Sequence, residues 1–370
     1  MKKFLIVAHY SRFLVQFEMN NVKILQEMGY EVHYATNYEQ EDMYADAPQR
    51  IREAGVILHQ IDFVRSPYRI AENIKAYRQL VSLMEKEKFA GVHCHTPMAG
   101  ALARLAANKT KTKPVLYTAH GFHFYKGCPI QNRLIYETAE RFLARYTDAQ
   151  ITINDEDYQA AKTFKLRGRA YKIPGVGVDV KSIRELKVDR AAKRKELGIP
   201  EDAFVMISVG ELNKNKNHST AIKAFAETNI PNSYYIICGE GGLKSELKEL
   251  SCNLNVGNRV KLLGFRKDVR QLLKISDLFV FPSFREGLSL SLMEALSAGI
   301  PCIASNIRGN RDLLTESELF EPADQKQLEK MMVSSQGKPG LEESACMRFD
   351  VSEVMSRMRD IYNENLRLKF

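Results

Sequence analysis

Two acids, Glu286 and Glu294, frame the stretch of this 370-residue chain best equipped for chemistry: Phe281-Pro282-Ser283-Phe284-Arg285-Glu286-Gly287-Leu288-Ser289 and the apolar run behind it. The pattern reads as a buried strand ending at Pro282, a short loop carrying Glu286 and Gly287, and a helix beginning near Leu288. Amides at a helix start lack partners within the helix and carry partial positive charge, so those of Gly287, Leu288 and Ser289 suit a diphosphate. Gly287 lets the backbone come close, since no side chain intervenes. Glu286 can reach a sugar hydroxyl, and Glu294, two turns further on, can accept hydrogen bonds from a ribose. The same spacing also fits an ordinary strand–loop–helix turn with two exposed glutamates. Residue types alone leave both readings open.

Other loops have comparable chemistry. Ser208-Val209-Gly210-Glu211-Leu212-Asn213-Lys214-Asn215-Lys216-Asn217 is a strand end running into a polar turn. There Lys214 and Lys216 can meet phosphate as mobile point charges. Gly239-Glu240-Gly241-Gly242 is a glycine-rich turn after Ile236-Ile237-Cys238, and Gly264-Phe265-Arg266-Lys267-Asp268 is a further strand-end loop. Thr118-Ala119-His120-Gly121-Phe122-His123 places His120 just past a strand, where a reactive imidazole belongs. His93 and His95 alternate on one strand face but make only part of a metal site, so no metal is expected. Arg12, in Ala8-His9-Tyr10-Ser11-Arg12, is placed to meet an acceptor phosphate.

The elements that must position these residues repeat a simple unit. Apolar runs at 4–8, 31–35, 55–58, 91–94, 114–118, 149–153 and 170–173 read as strands, with helical stretches at 15–28, 70–86 and 98–107. The pattern restarts with strands at 203–209, 234–238, 260–263 and 278–281 and helices at 218–228, 268–275 and 288–298. Such alternation builds parallel sheets covered on both faces. The expected fold is α/β: two Rossmann-like domains facing an interdomain cleft, with ligands beyond the carboxyl ends of the strands. The expected boundaries are 1–178 for the first domain, 179–200 for a linker and the start of the second, 201–350 for the second domain, and 351–370 for a C-terminal helix packing back on the first.

Net charge is +9, and residues 101–150 hold eight basic against three acidic side chains. A basic face attracts phosphorylated substrates or an anionic membrane. No aromatic–basic nucleic-acid module accompanies it, so nucleic acid is not expected as a partner. A solvated basic surface is the plain alternative. Six cysteines without a C-x-x-C pair fit core residues in a reducing compartment. No run approaches the roughly 20 apolar residues of a membrane span. A cytoplasmic location is expected, with peripheral membrane contact through the basic first half.

The segment from Pro282 through Pro301 resembles the E-x7-E motif of glycosyltransferase family 4, flanking P-S-x-x-E-G and L-M-E-A-L-S-A-G-I-P context included. The resemblance covers nearly the whole chain and is closest to bacterial capsule and exopolysaccharide enzymes. It implies the GT-B fold and retaining, metal-independent transfer of a hexose or N-acetylhexosamine. The donor would be a nucleotide-diphosphate sugar, UDP-linked, and the acceptor a saccharide, lipid-pyrophosphate-linked, in surface glycan synthesis. No cofactor is implied, and the oligomeric state is left open. Lys216 falls on the family's phosphate-binding lysine, His120 on the histidine of its T-x-H-G loop, and Glu286 on the acid that orients the sugar. Gly210, Lys214, Gly239, Arg266, Gly287, Leu288, Ser289 and Glu294 fall on donor-side loops. The chain departs from the pattern at Glu211, where arginine is usual, and at Asn217, where glycine is usual. These departures put the two-cation clamp in doubt and make Lys214 or Arg285 a candidate second cation. A sugar-nucleotide epimerase of the same fold and a catalytically degenerate binding partner remain as alternatives.

Overall fold

The computed structural model describes residues 1–40 and 46–367. The chain forms two compact units, Met1–Val176 together with Val354–Phe370, and Gly177–Glu353. Unit 1 is built on a parallel sheet of seven strands: β1 (Lys2–Tyr10), β2 (Tyr30–Asn37), β3 (Ile57–Gln60), β4 (Val92–His95), β5 (Val115–Ala119), β6 (Ala149–Thr152) and β7 (Arg169–Lys172). Their order is β3-β2-β1-β4-β5-β6-β7, so the winding reverses between β1 and β4. Phe4 to Ala8 are all fully buried, as a central parallel strand covered on both faces requires.

Unit 2 has six strands: β8 (Phe204–Val209), β9 (Ser233–Cys238), β10 (Val260–Gly264), β11 (Leu278–Phe281), β12 (Cys302–Ser305) and β13 (Leu319–Phe320). They lie in the order β10-β9-β8-β11-β12-β13, with the reversal between β8 and β11. Phe279, Phe281, Leu292, Met293 and Leu296 pack into one buried face of this sheet. Full burial of one such side chain is worth about 2 kcal/mol. The α/β expectation and its two Rossmann-like domains are observed, each sheet wholly parallel.

Three expectations need correction. Residues 179–200 are no free connection: the helices Val180–Glu185 and Arg190–Glu196 belong to unit 2. Val180, Ile183 and Ile199 are buried in its core, because charges on the outer face do not prevent an apolar stripe from docking. The helix expected at 15–28 is interrupted. Ser11–Phe13 is α-helical, Leu14–Glu18 is one wide π turn, and Met19–Glu27 resumes the α-helix. Finally, the helix Leu290–Ala298 starts two residues later than its apolar pattern suggested. The terminal helix Val351–Arg367 starts in unit 2 and from Val354 belongs to unit 1. There Tyr362 meets the Phe4 ring edge-on at 5.9 Å and hydrogen-bonds His93 Nδ1 at 2.7 Å.

Candidate active site

The loops after β8, β11 and β12 meet at the reversal point of the unit 2 sheet, where a parallel sheet opens to ligands. Phe284 N donates to Asn215 O at 2.8 Å, and Asn215 Nδ2 donates to Arg285 O at 2.9 Å. These bonds bring Lys216 Nζ to 2.7 Å from Glu286 Oε1 and 4.9 Å above the Phe281 ring. Both side chains are largely covered, so the attraction is screened less than at an open surface. Thus the lysine expected to meet phosphate and the acid expected to meet sugar neutralise each other.

Asn217 takes the place of the expected glycine without strain. Its φ is +52°, a left-handed value that asparagine tolerates better than other side chains. Its Nδ2 donates to Pro282 O at 3.2 Å, and its Oδ1 accepts from Thr220 Oγ1 at 2.8 Å. Glu211 points into solvent, leaving the position of the usual arginine without a cation. His218, buried behind the loop, has its pKa pushed down to about 4 by burial and by Lys216.

Ser289 caps the helix Leu290–Ala298, its Oγ accepting from Leu292 N at 3.3 Å. The helix-start amides are therefore those of Leu290, Ser291 and Leu292, the last taken by Ser289 Oγ, while Gly287 and Leu288, expected among them, lie in the loop before the cap. Gly287 is held by a third loop. A Cβ on Gly309, at φ +79°, would lie 2.1 Å from Gly287 O, so only glycine fits there. The neighbouring Arg308 is buried and donates Nε–H to Glu286 O at 3.2 Å. Arg308 escaped the sequence reading. Its signal is the small and polar run Ser305-Asn306-Ile307-Arg308-Gly309-Asn310 directly behind a strand. Gly239 touches the loop of Gly210, where a Cβ would stand 1.9 Å from Gly210 O. Three residues from the donor-side set stand otherwise. Glu294 pairs with Arg270 at 3.1 Å. Arg266 is clamped by Asp268 at 2.6 Å and Glu196 at 3.2 Å. Lys214 is exposed.

In unit 1 the last residue of β4, the loop after β5 and the π turn bring together His95, His120 and Glu18. His95 Nδ1 lies 3.3 Å from His120 Nε2. Glu18 Oε2 stands 3.4 Å from His95 Nε2, and Oε1 stands 3.9 Å from His120 Nε2. Among the described residues this is the group of histidine, cysteine and acidic side chains close enough to share a metal ion. The Phe13 ring packs on both imidazoles at 5.4 and 5.1 Å. Burial pushes the Glu18 carboxyl up to about 8, against a lowering hydrogen bond from Asn21, and lowers His120 to about 4. His93 is lowered to about 3 by burial first and by His120 second. It is fully buried and tied to Thr118 and Tyr362, with its ring 4.2 Å from that of His95. His123 stacks near Tyr136 at 5.0 Å.

A cavity of about 790 Å³ opens in unit 1 between the segment around Arg65–Tyr68 and the helix Ile130–Ala144. Arg12 and Arg65 lie over Tyr10 at 5.3 and 4.6 Å at one end of it; its other walls are mainly apolar. Of its lining, Tyr68 and Ile135 are exposed, and so are Ile130 and Leu134 on the same helix as Ile135, at 76% and 64% accessible. Of the eight basic side chains at 101–150, Lys109, Lys111, Lys113, Lys126 and Arg145 are exposed, whereas the other three have acidic partners. Arg104 is fully buried, paired with Glu140 at 2.8 Å and stacked 3.9 Å from the Tyr117 ring. Arg133 and Arg141 both pair with Glu137. Phe122 and Phe124 stack inside the core at 4.7 Å. A count of charges along the chain could not see these partners. No helix among the described residues is long and apolar enough to cross a membrane.

Comparison with known proteins follows the two units. Residues 19–171 match the family described as "Glycosyl transferase 4-like domain", and residues 189–334 match "Glycosyl transferases group 1". The chain is 34% identical over 379 residues to a Bacillus subtilis protein named glycosyltransferase EpsD, covering 98% of this chain and 96% of that one. It is also 34% identical over 278 residues, 71% of this chain and 72% of the relative, to an Escherichia coli protein. That relative is named UDP-Gal:alpha-D-GlcNAc-diphosphoundecaprenol alpha-1,3-galactosyltransferase. Among solved structures, Anabaena Alr3699/HepE in complex with UDP and glucose superposes with a TM-score of 0.79 at 18% identity, covering 98% of this chain and 100% of that one. At that identity the likeness concerns the fold, which is GT-B.

Proposed function

Since the chain belongs to glycosyltransferase family 4, we propose that it transfers a hexose or N-acetylhexosamine from a UDP-linked donor to a lipid-diphosphate-linked saccharide, with retention and without a metal. The observation that carries this reading is the Lys216–Glu286 pair on adjacent loops, set before a Ser289-capped helix at the strand reversal of unit 2. A diphosphate arriving at the helix start gives Lys216 a second anion to neutralise and releases Glu286 to accept from sugar hydroxyls. In the transition state the bond from the anomeric carbon to the diphosphate breaks and negative charge grows on the leaving oxygens. Lys216 and the amides leading into the helix then stabilise the transition state more than the ground state. The acceptor oxygen bonds to the same face of the sugar, and its proton passes to the leaving phosphate. His120 supports the donor sugar by hydrogen bonding. The UDP and glucose bound by the Anabaena protein and the UDP-galactose in the name of the Escherichia coli relative favour a uridine donor.

The diphosphoundecaprenol in that relative's name supports a lipid-linked acceptor. In unit 1 the cavity beside Arg12 and Arg65 suits its diphosphate, and the exposed apolar side chains Ile130, Leu134 and Ile135 of the helix Ile130–Ala144 suit contact with the membrane. Assay of the purified protein against UDP- and GDP-sugars, with and without lipid-diphosphate-linked saccharides, tests the reading. Transfer only when both substrates are present, giving a product whose anomeric configuration matches the donor's, is expected. Donor epimerised without an acceptor, or inversion in the product, would overturn it. On anionic vesicles Ile130→Asp with Leu134→Asp should abolish flotation, whereas Arg133→Gln with Arg141→Gln should not.

A further inference from the structure

Glu18 is an acid in a place where acids are costly. It is 2% exposed, and no arginine or lysine among the described residues pairs with it; its surroundings are Asn21 from the helix that follows it, His95 at the end of β4, His120 after β5, and Tyr362 from the terminal helix. The π turn over Leu14–Glu18 aims it inward, and such turns frequently mark functional positions. Asn21 Nδ2 donates to Glu18 Oε2 at 2.5 Å. One polar atom in the group is buried without a hydrogen-bond partner, His95 Nε2, and Glu18 Oε2 stands 3.4 Å from it. Buried polar groups rarely stay unpaired, and a small turn of the imidazole closes this contact.

We propose that Glu18 is a positioning residue that, in its protonated form, fixes the tautomer of His120 through His95, so that His120 presents an Nδ1–H donor to the substrate. The proton arrangement follows from the distances. His95 Nδ1 and His120 Nε2 are 3.3 Å apart, so one must donate and the other accept. With Glu18 protonated, its O–H donates to His95 Nε2, His95 Nδ1–H donates to His120 Nε2, and the His120 proton sits on Nδ1. Removing one proton reverses the chain. Then His120 Nε2–H donates to His95 Nδ1, His95 Nε2–H donates to the carboxylate, and His120 Nδ1 becomes an acceptor. Burial away from any cation favours the first arrangement, since it leaves the carboxyl neutral. The upward shift of Glu18 to about 8 agrees. Nδ1 is the ring nitrogen of His120 that the cluster leaves unused, and the side chain is 26% accessible.

The role of His120 in transfer rests on the function proposed above; the tautomer does not, so the two are measured separately. Nitrogen-15 spectra of the histidine rings in the full-length protein, without substrate, should show His120 protonated at Nδ1 at neutral pH and a change as pH passes about 8. Glu18→Gln keeps a neutral donor after a half-turn of the Asn21 amide, so it should retain the Nδ1–H form at all pH values. Glu18→Leu should mix the tautomers. In kinetics, Glu18→Leu should lower kcat by about a hundredfold with donor KM little changed. Glu18→Gln should stay within a few fold and lose the alkaline fall of the pH profile. Thermal melting of each variant separates these effects from misfolding. The proposal is overturned if His120 is protonated at Nε2 in the wild type, or if Glu18→Leu leaves the histidine spectra unchanged. Stoichiometric metal in the purified protein that is lost in Glu18→Gln would also overturn it. Absence of any transfer activity alongside the expected spectra would count against the function and leave the tautomer assignment standing.

Discussion

Lys216 and Glu286 lie 2.7 Å apart, so their contributions to donor binding cannot be independent. Lys216→Ala should lower kcat/KM by about a hundredfold or more, roughly 3 kcal/mol, because it removes charge from the leaving diphosphate. Glu286→Gln should lower it through the sugar contacts, and the double variant should lose less than both effects combined. Steady-state kinetics on the four proteins reads that coupling; additive losses would show that the pair does not act as a unit. Arg104 makes a second case at this scale. Arg104→Met leaves Glu140 facing the Tyr117 ring without its cation, and should cost about 3 kcal/mol, readable in denaturant melts. Arg104→Met with Glu140→Leu should recover most of that loss, because apolar replacement of both partners is tolerated. Vesicle binding should be unaffected by either.

At the scale of elements, the site depends on loops held at close range. Gly309→Ala would push a methyl into Gly287 O and force a left-handed backbone, costing about 1–2 kcal/mol from the conformation alone. Donor KM should rise while the secondary structure seen by circular dichroism stays intact; an unchanged KM would mean that Gly287 is not a donor contact. The strands around this corner were legible because buried parallel strands are short and almost wholly apolar, as in Phe279–Phe281. The helix after them was legible through its apolar run, with its start placed two residues early. Lys216, Glu286, Gly287 and His120 were singled out because motif and strand end coincide. The π turn was not legible, since one extra residue per turn barely disturbs an apolar period. Nothing in the pattern therefore set Glu18 apart within the helical stretch expected at 15–28. Arg104 misled for a related reason: its partner lies 36 residues away, beyond anything local spacing reveals.

At the scale of the whole molecule, pH acts through several buried groups at once. His9, His93, His120 and His218 are all pushed down from 6.5, to between about 3 and about 4, chiefly by burial. The unfolded chain takes up those protons first, so the stability these groups contribute is full above about 6.5 and is lost as pH falls toward 4. Glu18 runs the other way. Its carboxyl is raised from 4.5 to about 8, so its contribution is full below 4.5 and is lost as pH rises toward 8. The melting temperature should therefore peak near pH 6.5, fall steeply on the acid side and gently up to pH 8. Glu18→Gln should flatten only the alkaline slope, and a melt profile without an acid limb would contradict the histidine assignments.

The terminal helix has a consequence for the order in which the protein is made. Unit 2 is one unbroken stretch, Gly177–Glu353, whereas unit 1 needs its last piece, Val354 onward, to supply Tyr362 to Phe4 and His93. During synthesis the first strand must wait, with that flank bare, until the codons for Val354 onward have been read. Unit 2 can mature while its predecessor is still unfinished. Chains cut off just before Val354 should thus hold nucleotide yet remain prey to proteases at their amino-terminal half.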